Sequence, residues 1–540
     1  MKNKKALLLI IVILAFVLRF FALGLNPPEM FFDEMALGYN AFSIAKTGMD
    51  EHGNSFPTTY FTSFGDYKPP VYIYAAVPMI KFFGLNSFTT RLPSALFGTL
   101  TVLLTYFLVL EIFKPKKEKH VLALLSTLLL AISPWHIFLS RVAYEANLAQ
   151  FFIVLSIYLF LKSFKNKCLL ILAAIFAGLS MYTFNSARLG VPLIFTGFIF
   201  YFFRKIKKNT KGLIISLVIG SIFIVGLIPH LTSKEGKIRY NEVNIFSNLD
   251  VIKDSNRRIE EDGNNILSRL VHNRRISYSL LFLKHYFDNF DLRFLFLNGD
   301  VNPRLHNQET GQLYLIELPL FLLGIYFLVK KKGNPLFIIF YWLLAGLIPA
   351  STARETPHAL RSEIVLPIWQ IITAVGIYYF FSKFKNKLFK FSFVFLYFIS
   401  FFYFVHNYFC HYPKQFASFW YSGLKSVTQY AYEKQNDYET IIFPDLGRSY
   451  IAFLFYNSFD PLSFQKANKI YTQSAVLSGD LFVTKQMDKY YFHMPNEDLD
   501  TFNKPILLIT PDNSMNFEAS PIMEFHDVNN QVIYSAWEIK

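Results

Sequence analysis

Long apolar runs closed by short lysine blocks constrain this chain more than any motif in it. The blocks KPKKEKH (114–120), KSFKNK (162–167), RKIKKNTKG (204–212), KKKGNP (330–335) and SKFKNK (382–387) are separated by stretches too uniformly apolar to show a polar face. Runs of that kind cross hydrocarbon as helices, because only a helix satisfies its backbone from within. Lysines gathered between them are what the positive-inside rule gives for cytoplasmic loops. The net charge of +15 therefore argues for membrane topology and against a nucleic-acid surface. The 62 Phe and 32 Tyr suit lipid-facing and interfacial positions.

Alternating runs with blocks predicts a polytopic α-helical membrane protein of about eleven spans, N-terminus inside and C-terminus outside. The first span is 6–25, read as an uncleaved anchor and not a signal peptide, with Arg19 snorkelling near its outer end. Spans at 92–113, 121–139, 168–184, 213–231 and 313–329 are among those that follow, and the eleventh ends at Cys410. Residues 71–83 are apolar but short, and read as a re-entrant or interfacial helix. Cys168 and Cys410 fall on opposite faces, so no disulfide joins them. The expected partition is a membrane domain over 1–410, with outer loops at 26–91 and 232–312, and a small extracytoplasmic α/β domain over 411–540. The latter rests on strand-like runs at 439–443, before Pro444 and Asp445, and at 505–509, before Thr510, Pro511, Asp512 and Asn513, with a helix over 448–456.

Nearly every acid, arginine and histidine outside the lysine blocks then lies on the outer face. Asp33, Glu34 and Asp66 share the first loop with Lys68; Arg141 and Glu145 occupy the second, Asn185 and Arg188 the third, and Arg354, His358 and Arg361 the last short one. Carboxylates that take a proton, beside cations that hold an anion, are the parts of a transfer reaction between a phosphate-bearing lipid and a neutral nucleophile. Each group also has a plainer reading. Asp33 fits an N-cap, Lys68 before Pro69 and Pro70 marks a helix start, and Arg141 with Glu145 fits an i,i+4 pair. His358 fits an interfacial histidine, and Arg361 a headgroup anchor.

The stretches DEMALGYNAFSIAKTGMDEHG, DYKPPVYIY, FGLNSFTTRLPSALFGTLTVLLTY, SPWHIFLSRVAYEANL, MYTFNSARLGVPL and TPHALRSEIVLPIWQ resemble, in that order, the signatures of the integral-membrane GT-C glycosyltransferases, specifically the PMT/ArnT-like superfamily. The likeness covers about residues 1–375. It implies a polyprenyl-phosphate sugar donor, a lipid, protein or glycan acceptor, and a site at the outer face of the cytoplasmic membrane. By position it implies that Asp33 is the base or an acceptor-positioning group, with Glu34 completing a paired-acid motif, and that Lys68 meets the donor phosphate, aided by Arg361 or Arg141. Glu145 stands where many relatives place an aspartate; Asp66, Arg188 and His358 are further site residues. Direct displacement inverts the anomeric centre. The metal question stays open, a divalent cation being neither required nor excluded, because the acids and His358 form no defined ligand set.

Two other functions compete. A polymerase or ligase using a diphosphate-linked donor would centre on loop 232–312 and its Arg257, Arg258, Arg269, Arg274 and Arg275. A transporter or flippase would place ionisable groups mid-span.

Overall fold

The computed structural model describes residues 2–64, 66–114, 116–443, 448–471, 484–493, 499–511 and 520–540. The turn residues at 444, 445, 512 and 513 lie outside them, and so does the side chain of Asp66. The chain packs as two compact units, Met1–Arg19, Ser94–Ser140 and Tyr144–Val405 in one, Phe20–Pro93, Arg141–Ala143 and His406–Lys540 in the other. The expected division at residue 410 is thus not the one the contacts draw: the first long loop packs with the tail.

The first unit is helical. It contains α1 (Lys2–Phe20), most of a long helix at Ser87–Ile112, and helices at Lys119–Ala131, Pro134–Ser140, Glu145–Lys162, Leu169–Met181, Asn185–Tyr201 and Thr210–Thr232. Leu318–Lys331, Asn334–Ser351, Ile368–Lys383 and Lys387–His406 follow. By length and composition five described helices are able to cross a membrane, or seven when two sharply bent pairs each count as one span. Helix Leu318–Lys331 lies against Ile368–Lys383 at glycines: a Cβ on Gly324 would stand 2.0 Å from the Ile372 carbonyl oxygen, and one on Gly376 1.8 Å from that of Leu320. Such close backbone approach is how helices associate where lipid offers no hydrophobic drive.

Three spans differ from the sequence reading. α1 stops at Phe20 and not Leu25, because Ala22 adopts φ 52° and the Leu23 amide closes back on the Phe20 carbonyl. The run over 121–139 breaks by 57° between Ala131 and Pro134, and the run that ends at the 382–387 lysine block breaks by 61° before Ile368. Each break precedes or contains a proline, which cannot continue the amide ladder.

The carbonyls freed at the first break find donors. Arg19 gives Nη1 to Ala131 O at 3.1 Å and Nη2 to Leu130 O at 3.2 Å, while the Tyr314 hydroxyl reaches Ile132 O at 2.7 Å. Arg19 is accordingly 0% exposed and does not snorkel. At the second break the Trp342 indole donates to Ile364 O and the Gln150 amide to Leu366 O.

In the second unit, α2 (Phe32–Thr47) ends at Gly48 with φ 73°, a left-handed C-cap. Hairpin β1 (Phe61–Ser63) and β2 (Asp66–Lys68) leads into α3 (Pro70–Phe83), the expected short apolar helix. The tail forms the expected α/β domain. Its sheet runs β4 (Gln486–Met487), β5 (Tyr490–Tyr491), β3 (Thr440–Ile442), β6 (Ile506–Pro511), β8 (Val532–Ile539), β7 (Met523–His526). β3 is parallel to both its neighbours, and the other pairings are antiparallel. Helices Leu424–Glu433, Ser449–Tyr456 and Pro461–Tyr471 complete it.

Replacing Arg19 by Leu should leave the 131 carbonyl without its arginine donor in an apolar surround and the 130 carbonyl with only the long Ser133 amide contact at 3.4 Å, at a cost of about 1–3 kcal/mol. Thermal unfolding in detergent measures this, and an unchanged midpoint would refute the bracing role.

Candidate functional site

Successive residues on a helix point about 100° apart, and the first turn of α2 uses this to separate two neighbouring acids. Glu34 turns inward with its side chain 0% exposed, while Asp33 turns outward with 37% of its side chain exposed. Phe31 is the N-cap residue, so Asp33 lies inside the helix and the N-cap reading fails.

Glu34 meets Arg91, whose Nε donates to Oε1 at 2.8 Å and Nη2 to Oε2 at 2.9 Å; the Ala143 amide adds 2.9 Å to Oε1. Arg91 then donates Nη1 to Pro27 O at 2.9 Å and Nη2 to Glu29 O at 2.6 Å. Both charges are buried and hydrogen-bonded, the condition under which such a pair is tolerated. Arg141, expected to be a phosphate ligand, is 0% exposed: Nη2 donates to Asn26 O at 2.9 Å and Nε to the Tyr408 hydroxyl at 3.2 Å. Its guanidinium lies 4.8 Å from the Phe409 ring centroid. Glu34 and Arg141 therefore brace the stretch entering α2.

Asp33 faces Lys68, and Nζ stands 2.6 Å from Oδ1. The hairpin delivers that lysine: Phe61 opposes Lys68 and Ser63 opposes Asp66 in register. Pro69 and Pro70 then start α3, so the helix-start reading of this stretch holds beside the ion pair. Helix Ser449–Tyr456 anchors both parts. Its Tyr450 hydroxyl accepts from the Phe64 amide at 3.0 Å, and its Tyr456 hydroxyl from the Met30 amide at 3.3 Å. Phe455 presses on Gly38 of α2, where an added Cβ would stand 2.6 Å from the ring.

The remaining expected residues belong to the first unit. Glu145 opens its helix after N-cap Tyr144. Arg188 gives Nε to Met181 O at 3.3 Å. His358 caps Ala359–Ser362, accepting from the Arg361 amide at 3.4 Å, and burial pushes its imidazole down to about 3. Arg361 reaches Glu355 O at 3.2 Å. Asp300, not expected from the sequence, holds the Ala359 amide at 2.7 Å and that of Asn302 at 2.8 Å, and burial raises it to about 6. Arg257 and Arg258 pair with Asp254 on their own exposed helix, and Arg269 donates to Asn264. Among the described residues no three His, Cys, Asp or Glu side chains could hold a metal ion.

Sequence reasoning passed over Arg91, Glu29 and Arg448. The signal for Arg91 was available, since a lone arginine just inside an apolar run needs a partner. Glu29 accepts from the Gly423 amide at 2.8 Å and the Lys425 amide at 3.3 Å, and burial lifts its carboxyl to about 7.

Arg91→Ala would strand the buried Glu34 charge, and should lower stability by about 3–5 kcal/mol, read as a large fall in unfolding midpoint; a small fall would show the pair to be dispensable. Glu29 titrates near 4.5 when unfolded and near 7 when folded, so its contribution is fully present below 4.5 and is lost as pH rises through 7. Glu29→Gln should remove that slope, and the gap between variant and native midpoints should move in the variant's favour between pH 5 and pH 8.

Residues 9–230 match the family model described as dolichyl-phosphate-mannose-protein mannosyltransferase. An uncharacterised protein of Aquifex aeolicus is 30% identical over 42% of this chain and 44% of its own length. The chain thus spans less than half the length of the curated relatives it matches. Among solved structures, ArnT from Cupriavidus metallidurans bound to undecaprenyl phosphate aligns at TM-score 0.56 and 11% identity, over 98% of this chain and 97% of that one. The oligosaccharyltransferase AglB from Archaeoglobus fulgidus, in complex with an inhibitory peptide and a dolichol-phosphate, aligns at 0.50 and 13% identity, over 84% and 63%. The likeness read from the sequence is thus matched over residues 9–230 by the PMT family model, and the fold of the chain resembles that of ArnT.

Proposed function

We propose that this integral membrane protein is a glycosyltransferase that moves a sugar from a polyprenyl-monophosphate donor to an acceptor hydroxyl at the outer face of the cytoplasmic membrane. The observation that carries this is the Asp33–Lys68 pair, a part-exposed carboxylate 2.6 Å from an ammonium group. Asp33 is the open side of the pair while the Lys68 side chain is only 9% exposed and needs an anion beside it, so an arriving phosphate can replace the carboxylate at Lys68 and leave Asp33 free to accept a proton. The family match and the polyprenyl phosphates bound by ArnT and AglB support the donor class.

In the reaction the acceptor oxygen attacks the anomeric carbon while the carbon–oxygen bond to phosphate breaks. The bonding electrons leave with the polyprenyl phosphate, and the hydroxyl proton passes to Asp33. The attack comes from the face opposite the leaving group, so the product is inverted. Lys68 stabilises charge that grows on the departing phosphate, a contribution of about 3 kcal/mol for one well-placed donor. Glu34 and Arg91 hold the helix turn that presents Asp33. The scheme uses the chain's own groups and needs no strong general acid, because phosphate already leaves readily. An outer-face site is the reading that the N-in, C-out threading expected from the lysine blocks supports.

The local pairing of Arg257 and Arg258 with Asp254 weighs against a diphosphate site centred on that loop. Asp33→Asn should abolish transfer by purified protein while undecaprenyl phosphate still binds, and Lys68→Ala should weaken that binding. Full turnover by Asp33→Asn, or equal use of diphosphate-linked donors, would overturn the scheme.

A further inference from the structure

Lys68 is not the only cation at the hairpin. Its Nζ lies 5.5 Å from the Phe64 ring centroid, and the guanidinium of Arg448 lies 4.3 Å from the same centroid. Among the described residues no carboxylate pairs with Arg448. Lys68 already has the Asp33 carboxylate beside it, so Arg448 brings to the same ring a positive charge that the Asp33–Lys68 pair does not balance.

The backbone shows that the juxtaposition is imposed. Phe64 has φ 38° and Arg448 φ 86°, both in the left-handed region that non-glycine residues enter only at a cost. The surroundings over-determine both: Tyr450, two residues beyond Arg448, accepts the Phe64 amide at 3.0 Å, and Arg448 is the N-cap residue of that helix. The helix that anchors the hairpin thus also brings the arginine to it.

Charge balance says what a second cation is for. The donor is a phosphodiester with one negative charge, whereas the leaving group is a phosphate monoester, which carries about −1.5 to −2 at neutral pH. One lysine matches the donor, and the additional charge appears only as the bond breaks. A guanidinium, with its planar fork of donors, suits a phosphate bearing two free oxygens. We propose that Arg448, from the C-terminal segment, is the second phosphate ligand of this site and binds the leaving polyprenyl phosphate more strongly than the donor. This rests on the glycosyl-transfer reading, and it gives the C-terminal domain a part in the chemistry itself.

The experiment measures binding to full-length protein in detergent of three probes: undecaprenyl phosphate, its methyl phosphodiester and undecaprenol. Arg448→Ala should weaken the monoester about tenfold, the diester much less and the alcohol not at all, and Arg448→Lys should recover most of the loss. Lys68→Ala should weaken both phosphates. Arg448→Gln, with its unfolding midpoint measured alongside, separates loss of charge from loss of fold. Native affinity of a folded Arg448→Gln protein for the monoester would overturn the proposal while leaving the reading of Lys68 intact. Wild-type protein that binds neither phosphate better than undecaprenol would instead overturn the glycosyl-transfer reading beneath it.

Discussion

The buried pair of Glu34 and Arg91 is the contact on which the second unit depends. Arg91 engages both carboxylate oxygens and also the Pro27 and Glu29 carbonyls, so one side chain ties the start of α2 to the stretch that enters it. Neither charge touches water, and either alone would be far costlier than the pair. Because the pairing fixes the rotation of the first helical turn, it also fixes where the preceding residue points. Asp33 faces outward because Glu34 is held inward.

The same unit shows how a distant part of the chain secures a local geometry. Helix Ser449–Tyr456 takes up backbone amides on both sides of α2, at Met30 and at Phe64, and seats an aromatic ring on Gly38. A hairpin of two three-residue strands is marginal by itself. Held by that helix, it can present Lys68 within hydrogen-bonding distance of Asp33.

Much of this was legible in the sequence, for identifiable reasons. Most of the length of the apolar runs behind the threading is helical, because backbone polar groups in hydrocarbon allow little else. Asp33 and Lys68 were named from adjacent loop motifs, and they meet. The end of α1, the two bends and the burial of Arg19 were not legible, since each depends on which side chain elsewhere satisfies a freed carbonyl. Glu34 and Arg141 were assigned to chemistry because charge in an outer loop looks accessible; only packing reveals that both are enclosed. The packing of the first loop with the tail left no trace in local pattern, being a pairing of segments more than 300 residues apart.

Burial assigns opposite tasks to chemically equivalent pairs. Glu34–Arg91 and Asp33–Lys68 each join a carboxylate of α2 to a cation, at 2.8 Å and 2.6 Å. The first is enclosed and carries further hydrogen bonds at both ends, so exchanging either partner for water or ligand would strand a charge in a medium that cannot solvate it. The second is open on the Asp33 side only, so water can take up the released carboxylate while an incoming phosphate replaces it at the enclosed Lys68. A transfer site needs both kinds: one pair too costly to open, to define the geometry, and one that opens for the substrate. Placing them on adjacent residues of a helix turn makes the fixed pair the direct support of the exchangeable one.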